Sequence, residues 1–182
     1  VGDSKLAAIA FARVDTSARI GAVLTYATDL AKQSPRSALA LMLKADAIMR
    51  AGRSKEALGV LGEAAKLDDR SALIFNLRGI IHALSGSPPE AAADLTRAAD
   101  LDKSFIDPQV NLGLLSLMGD DFSAAIDAIE KALSLVPGHP LAHNALGVAY
   151  AEMGLSGEAE DHFKQALALA PGLRIARDNL GL

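Results

Sequence analysis

The sequence predicts an all-α fold built from consecutive helical hairpins. Hydrophobic residues make up 51% of the 182 residues, and the commonest types, Ala and Leu, have high helix propensity. A self-similar spacing of 34 residues runs along most of the chain and marks successive units. Each unit contains two apolar-periodic segments around a turn signal, as between Met49 and Lys55 around Gly52. We therefore expect stacked helix-turn-helix units without a sheet.

Small residues recur at fixed positions in these units. One series consists of Gly79, Gly113, Gly147 and Gly181, with Ala45 one step earlier. Three further series hold Ala or Leu: Ala57, Ala91, Ala125 and Ala159; Ala64, Ala98, Ala132 and Ala166; Leu67, Leu101, Leu135 and Leu169. Because a small side chain lets a neighbouring helix come close, the Gly and Ala series predict where the two helices of each hairpin touch.

Proline and serine mark the helix ends. The segment Ser87-Pro88-Pro89-Glu90 has the pattern of a capping box with prolines in the first helical turn. Pro137 and Pro171 are predicted to lie just after helices.

The last complete unit resembles the tetratricopeptide repeat, and the resemblance rests on one motif: His143-x-x-Leu146-Gly147-x-x-Tyr150, Ala159-x-x-x-Phe163 and Pro171. The unit around Gly113 matches almost as well. The units around Gly79 and Ala45 are looser, because Arg78 and Lys44 occupy the family's leucine slot. The resemblance implies a right-handed superhelical solenoid of helix-turn-helix hairpins.

The same register divides residues 1–182 into a single array of repeats. It comprises a degenerate repeat at 4–37, repeats at 38–71, 72–105, 106–139 and 140–173, and a capping or truncated helix at 174–182. In the degenerate repeat we expect helices over 5–13 and 18–33, with Thr16 or Ser17 capping the second helix.

Composition excludes several classes of protein. A net charge of −4, a pI near 5.5 and the lack of any Lys/Arg run argue against nucleic-acid binding. Because Cys is absent, disulfides, thiolate metal sites and cysteine nucleophiles are excluded. No apolar stretch reaches the ~18 residues of a membrane span. The chain begins at Val1, so we expect the natural start to have been removed, which leaves localisation open between bacterial cytoplasm and periplasm.

The histidines and paired acids are predicted to be structural. His139 and His143 have a spacing that brings two imidazoles to one metal on a single helix, but Pro140 places His139 in the preceding loop. His143 and His82 are expected in packing slots, and His162 at the surface. The acid pairs at 68–69 and 120–121 are expected to cap turns. Since no nucleophile or phosphate-loop motif is present, the sequence predicts no enzyme, no catalytic residue, no metal site and no cofactor.

The resemblance also implies a binding groove, because the first helix of each tetratricopeptide pair lines a concave face. Steps of three and four along these helices predict the following groove residues: Leu39, Met42, Asp46, Met49, Leu73, Asn76, Ile80, Asp107, Val110, Leu114, Leu117, Leu141, Asn144 and Val148. None of them is Lys or Arg. We expect an apolar or amphipathic peptide or helix here, held in orientation by the amides and carboxylates. Alternatively, a missing segment of the chain or a second copy covers the strip, or the helices are rotated differently. If the face is open, Leu117→Glu should abolish partner capture and leave stability nearly unchanged.

Tetratricopeptide adaptors for chaperone tails hold a C-terminal carboxylate between two Lys, an Arg and two Asn. Those slots here contain Asn76, Ile80, Asn111, Leu141 and Ala145. Because none of these is a cation, the sequence predicts no such tail.

Taken together, these features predict a non-enzymatic scaffold or adaptor for protein–protein interaction, with a role in bacterial secretion, pilus or envelope assembly. The alternative is a regulatory or substrate-docking module of a larger enzyme, such as a glycosyltransferase or a signalling protein. Self-association through the groove is a third interpretation.

Overall fold

The computed structural model describes residues 17–181, and every regular element in that range is an α-helix. The helices are α1 (Ser17–Gln33), α2 (Ala38–Arg50), α3 (Ser54–Leu67), α4 (Ala72–Leu84), α5 (Pro88–Leu101), α6 (Asp107–Met118), α7 (Phe122–Leu135), α8 (Pro140–Glu152), α9 (Ser156–Leu169) and α10 (Arg174–Asn179). The prediction of an all-helical fold of the tetratricopeptide solenoid class is confirmed.

The described residues fall into two compact units. The N-terminal unit, up to Lys103, contains α1 to α5, and the C-terminal unit, from Ser104, contains α6 to α10. The helix expected over 18–33 corresponds to α1, whereas the helix expected over 5–13 and the cap at Thr16 lie outside the described residues. The repeat boundaries given above stay a prediction.

In the N-terminal unit, α2 packs against α3 and α4 packs against α5, while α1 lies against α2. The buried centre contains Ile48, Leu61, Ile74 and Ile81, each at most 1% exposed. Burying each of these side chains contributes about 1.5–3 kcal/mol, so apolar packing is a major source of stability for the unit.

In the C-terminal unit, α6 pairs with α7 and α8 pairs with α9, and the short α10 contacts α9 and α8. A single apolar cluster joins α6, α7 and α8, with Ile129 and Leu146 among its largest members. The two hairpins of this unit therefore share one core.

Glycines lie where the paired helices touch. A Cβ on Gly79 would come within 2.7 Å of Leu95 Cγ, and one on Gly147 within 2.5 Å of Phe163 Cε1. Gly113 is closed off by Ile129 in the same way. In every case the contacting residue follows the glycine by 16 positions. The prediction that small residues permit close helix approach is confirmed at Gly79, Gly113 and Gly147, whereas Gly181 lies in a turn with φ 72° and has no atom within 4 Å of the position of a Cβ.

The hairpin turns share one backbone conformation. Gly52, Gly86 and Gly154 have positive φ angles of 79°, 74° and 79°, which glycine adopts at little cost. Asp120 occupies the equivalent turn between α6 and α7 with φ 60°. This position is thus a local mismatch between residue type and backbone conformation.

Helix starts carry the side-chain caps expected of such turns. Ser37 Oγ accepts from the Ala40 amide at 3.2 Å, and Asp121 Oδ1 accepts from the Ala124 amide at 3.0 Å, as predicted for a capping acid.

The capping box predicted at Ser87 is wrong, because this side chain makes no cap hydrogen bond although α5 does begin at Pro88. Pro89 stands at the second helical position and has no N–H, so one of the two donors that a capping serine uses is missing.

Candidate functional site: the first-helix face

The predicted groove residues of the N-terminal unit lie on α2 and α4, which contact each other directly. We call this surface the α2–α4 face. Two leucines at the start of these helices are strongly exposed, Leu39 at 60% and Leu73 at 52%. Met42, Met49 and Ile80 are half-buried. The face is therefore open and apolar.

Two polar side chains accompany these apolar residues. Asp46 accepts a hydrogen bond from Arg50 Nε at 2.8 Å, so its charge is balanced one turn away. Asn76 is only 8% exposed. Neither side chain presents an isolated charge to a partner.

One further leucine belongs to this face although the sequence analysis did not select it. Leu43 is 40% exposed and follows Leu39 by four residues, so both lie on the same side of α2. The same i to i+4 spacing, applied from Leu39 onward, would have found it.

The corresponding residues of the C-terminal unit have a different environment. Val110, Leu114 and Leu117 are 3%, 9% and 3% exposed and belong to the apolar cluster of that unit. The expectation that Leu117→Glu leaves stability unchanged is therefore reversed, since a carboxylate at this site would be desolvated without a partner.

The other predicted residues of this unit are divided between core and surface. Asn144 is 1% exposed and its side-chain oxygen accepts from Asn179 Nδ2 at 3.1 Å, so it anchors α10. Val148 packs partly against the core. Leu141, at 38%, and Asp107 are exposed.

An ion pair that the sequence analysis missed lies inside the N-terminal unit. Arg78 donates from Nε and Nη2 to the two carboxylate oxygens of Asp94, at 2.7 and 2.5 Å. The hydrogen bond to Asp94 raises the pKa of Arg78, and partial burial opposes this rise. In the sequence Arg78 stands only as an exception in the leucine slot. The signal that points to the pair is Asp94, 16 residues later, which is the same separation as between each glycine and its contacting residue.

A second arginine reinforces the same hairpin. The guanidinium carbons of Arg78 and Arg97 lie 5.0 and 4.2 Å from the centre of the buried Phe75 ring. Arg97 also donates to the Asp69 carbonyl at 2.9 Å. Both cations are thus engaged within the fold.

His139 has the loop position predicted for it. It precedes α8, and its Nδ1 accepts from the Ala142 amide at 3.1 Å, which makes it the N-cap of that helix. His82 is half-buried beside Asp94, with 3.8 Å between Nε2 and a carboxylate oxygen.

His143 is buried, as predicted, but it pairs with another imidazole. Its Nε2 lies 2.9 Å from the Pro137 carbonyl, so this nitrogen carries the proton and donates. In the neutral imidazole Nδ1 then accepts from His162 Nδ1, 3.2 Å away. The expectation that His162 is exposed is wrong, because it is half-buried and stacks on Tyr150 with ring centres 5.4 Å apart.

The two histidine rings lie close together and nearly parallel. Their centres are 5.4 Å apart with an interplanar angle of 24°, and the two Nδ1 atoms are 3.2 Å apart, within hydrogen-bond distance. Within residues 17–181 no group of three metal-binding side chains occurs. Burial and the neighbouring His143 lower the pKa of His162, while Asp161 and Glu130 act in the opposite direction.

The helices of this chain pack in pairs through small residues, and the first helices of two pairs expose leucines. These features define a helical-repeat module for binding other proteins. The family model described as Tetratricopeptide repeat matches residues 22–72, 49–104 and 111–173. The chain belongs to the tetratricopeptide repeat family, whose members are generally non-enzymatic interaction modules.

Comparison with known proteins agrees with this assignment. The chain is 41% identical over 81 residues to the peroxisomal targeting signal receptor of Saccharomyces cerevisiae, a match covering 43% of this chain and 13% of the receptor. The crystal structure of MamA is 28% identical, with a TM-score of 0.68 over 80% of this chain and 85% of that one. TTC0263, a thermophilic tetratricopeptide protein from Thermus thermophilus, is 21% identical, with a TM-score of 0.81 over 91% and 92% of the two chains. Because the sequence identity to TTC0263 is 21%, this similarity shows the fold alone.

Among the helices between Ser17 and Asn179, none has the length and apolar character needed to cross a membrane.

Proposed function

We propose that this chain is a scaffold or adaptor whose α2–α4 face binds an apolar or amphipathic peptide or helix of another protein. The observation that carries the proposal is the exposure of Leu39, Leu43 and Leu73 on two adjoining first helices. Scattered exposed leucines are ordinary, but three on adjoining helices form a patch suited to an amphipathic ligand.

The proposal narrows the one drawn from the sequence. The sequence assigns all fourteen predicted residues to the groove, whereas the exposed leucines that support the proposal lie on α2 and α4. The Saccharomyces cerevisiae relative is by name a receptor for a targeting signal, which is consistent with recognition of a segment of another protein. The match covers 13% of that receptor. The proposal therefore includes the alternative that the present chain is the docking module of a larger protein.

The cellular setting that we propose is bacterial secretion, pilus or envelope assembly. Its support is compositional: a chain rich in Ala and Leu, without Cys or Trp.

The test first selects, from a displayed peptide library, peptides that bind the full chain. The affinities of the selected peptides are then measured for the parent chain and for its variants. Leu73→Glu and Leu39→Glu should each weaken the selected peptides at least tenfold, because a carboxylate replaces the apolar contact area of the two most exposed leucines of the face; tenfold corresponds to about 1.4 kcal/mol. The matched control is Leu67→Glu, which changes a 46% exposed leucine at the end of α3.

Circular dichroism should show native helicity in all three variants, since each leucine is well exposed. If Leu67→Glu weakens the peptides as much as Leu73→Glu, or if both face variants bind with the original affinity, the α2–α4 face is not the binding site.

A further inference from the structure

In two repeats of the N-terminal unit, a cation occupies the family's leucine slot, and only one of the two cations has a carboxylate partner. Arg78 is held by Asp94, 16 residues later. Lys44 stands 34 residues before Arg78, and the position equivalent to Asp94 is Val60. Within residues 17–181 the Lys44 ammonium makes no ion pair or hydrogen bond with another side chain. The chain thus repeats the cation without its carboxylate.

Lys44 instead lines a cavity of about 350 Å³ between α1, α2 and the start of α3. The half-buried Leu24 contributes apolar wall, Ile48 borders the cavity with only 1% of its surface exposed, and Thr28 contributes a hydroxyl on the α1 side. None of the fourteen predicted groove residues lines this cavity. Its volume is at the lower end of the range for small-molecule sites, about 300–1,000 Å³.

The other charges around the cavity are internally balanced. Lys32 lies 3.1 Å from Asp29, and Arg53 Nη2 lies 2.6 Å from Glu56. Lys44 is therefore the uncompensated charge of the lining, and it faces space large enough for a ligand.

We propose that this cavity binds the carboxylate of a molecule or chain end that has a small aliphatic body. The carboxylate pairs with the Lys44 ammonium, as Asp94 pairs with Arg78, and the Thr28 hydroxyl donates a second hydrogen bond. The aliphatic body packs against Leu24. The site lies apart from the α2–α4 face, so it does not depend on the proposed function.

The first experiment titrates hexanoate into the full chain and follows the backbone amide signals of Thr28 and Lys44 by NMR. Hexanol is the uncharged control. An acetylated peptide ending in Leu, with a free or an amidated C-terminus, tests a chain end as the source of the carboxylate. We expect hexanoate to bind at least tenfold more tightly than hexanol, or the free-acid peptide at least tenfold more tightly than the amidated peptide. Tighter binding of hexanoate identifies a small molecule as the source of the carboxylate, and tighter binding of the peptide identifies a chain end.

Two variants assign the effect to the cation. Lys44→Leu restores the family residue, so it should fold well and lose at least tenfold in affinity. Val60→Asp places a carboxylate at the position of Asp94, and it should weaken the ligand while Lys44 is still present, because the new acid competes for the ammonium. Lys66→Met is the matched control, since this exposed lysine of α3 pairs with Glu63 and does not line the cavity.

Several outcomes overturn the proposal. If neither acid shifts the Thr28 and Lys44 signals, or if hexanol binds as tightly as hexanoate, no carboxylate site exists here. If Lys44→Leu keeps the original affinity, Lys44 is not the cation. The Lys44→Leu arm decides the matter even if Val60→Asp does not fold.

Discussion

Removing Asp94 should destabilise the N-terminal unit far more than removing both members of its ion pair. The Asp94 side chain is 9% exposed and that of Arg78 is 26% exposed, so Asp94→Ala leaves a partly desolvated guanidinium without its carboxylate. Breaking a buried pair in this way costs about 3–5 kcal/mol, and the residual exposure of Arg78 favours the lower end, about 3 kcal/mol. Arg78→Leu/Asp94→Ala removes both charges and restores the leucine slot, so it should lie within about 1 kcal/mol of the parent chain.

Urea unfolding followed by far-ultraviolet circular dichroism measures these differences. The control is Asp100→Ala, which breaks an exposed pair with Lys103 and should cost no more than about 0.5 kcal/mol. If Asp94→Ala unfolds at the urea concentration of the parent, or if the double variant is no more stable than Asp94→Ala, the pair does not stabilise the hairpin as described.

Three further predictions concern the C-terminal unit. Gly113→Ala should lower the free energy of unfolding by about 1–3 kcal/mol in urea titrations, because the new methyl group would displace Ile129; an unchanged midpoint would contradict close helix contact. Asp120→Gly should raise the melting temperature, gaining up to about 1 kcal/mol, since glycine tolerates the positive φ; a lower melting temperature would show that the Asp120 side chain contributes more than the backbone mismatch costs. The pKa of His162 is lowered from 6.5 in the fold, so acid favours the unfolded chain and stability should fall as pH drops below 6.5. His162→Gln should flatten this dependence in melting curves, and an unchanged slope would assign it to another group.

The repeat structure could be predicted from the sequence because its signals are local and periodic. Gly147 and Phe163 both occupy family positions, and their contact in the structure follows from the register. The left-handed turn at Gly52 is likewise encoded by a residue type that permits it.

The exposure of the predicted groove could not be obtained in the same way. Met42 and Val110 stand in the same register of their repeats, yet Met42 is half-buried and Val110 is 3% exposed. Register determines the direction of a side chain from its own helix, but burial depends on what packs beside that helix in each unit. A single sequence does not specify those neighbours.

The polar pairs depend on two helices at once. His143 and His162 are 19 residues apart and meet only because α8 and α9 pack together. Each residue alone resembles a packing or surface histidine, so composition and spacing did not indicate their hydrogen bond.

The ion pair between α4 and α5 also favours the correct pairing of helices in a chain of similar repeats. The residues equivalent to Asp94 in the other repeats are Val60, Ala128 and His162, and none of them carries a carboxylate. A helix α4 that associated one repeat too early or too late would leave the guanidinium of Arg78 unneutralised. Electrostatics therefore distinguishes one pairing among several that apolar packing alone would tolerate, which protects the array against shuffled assembly.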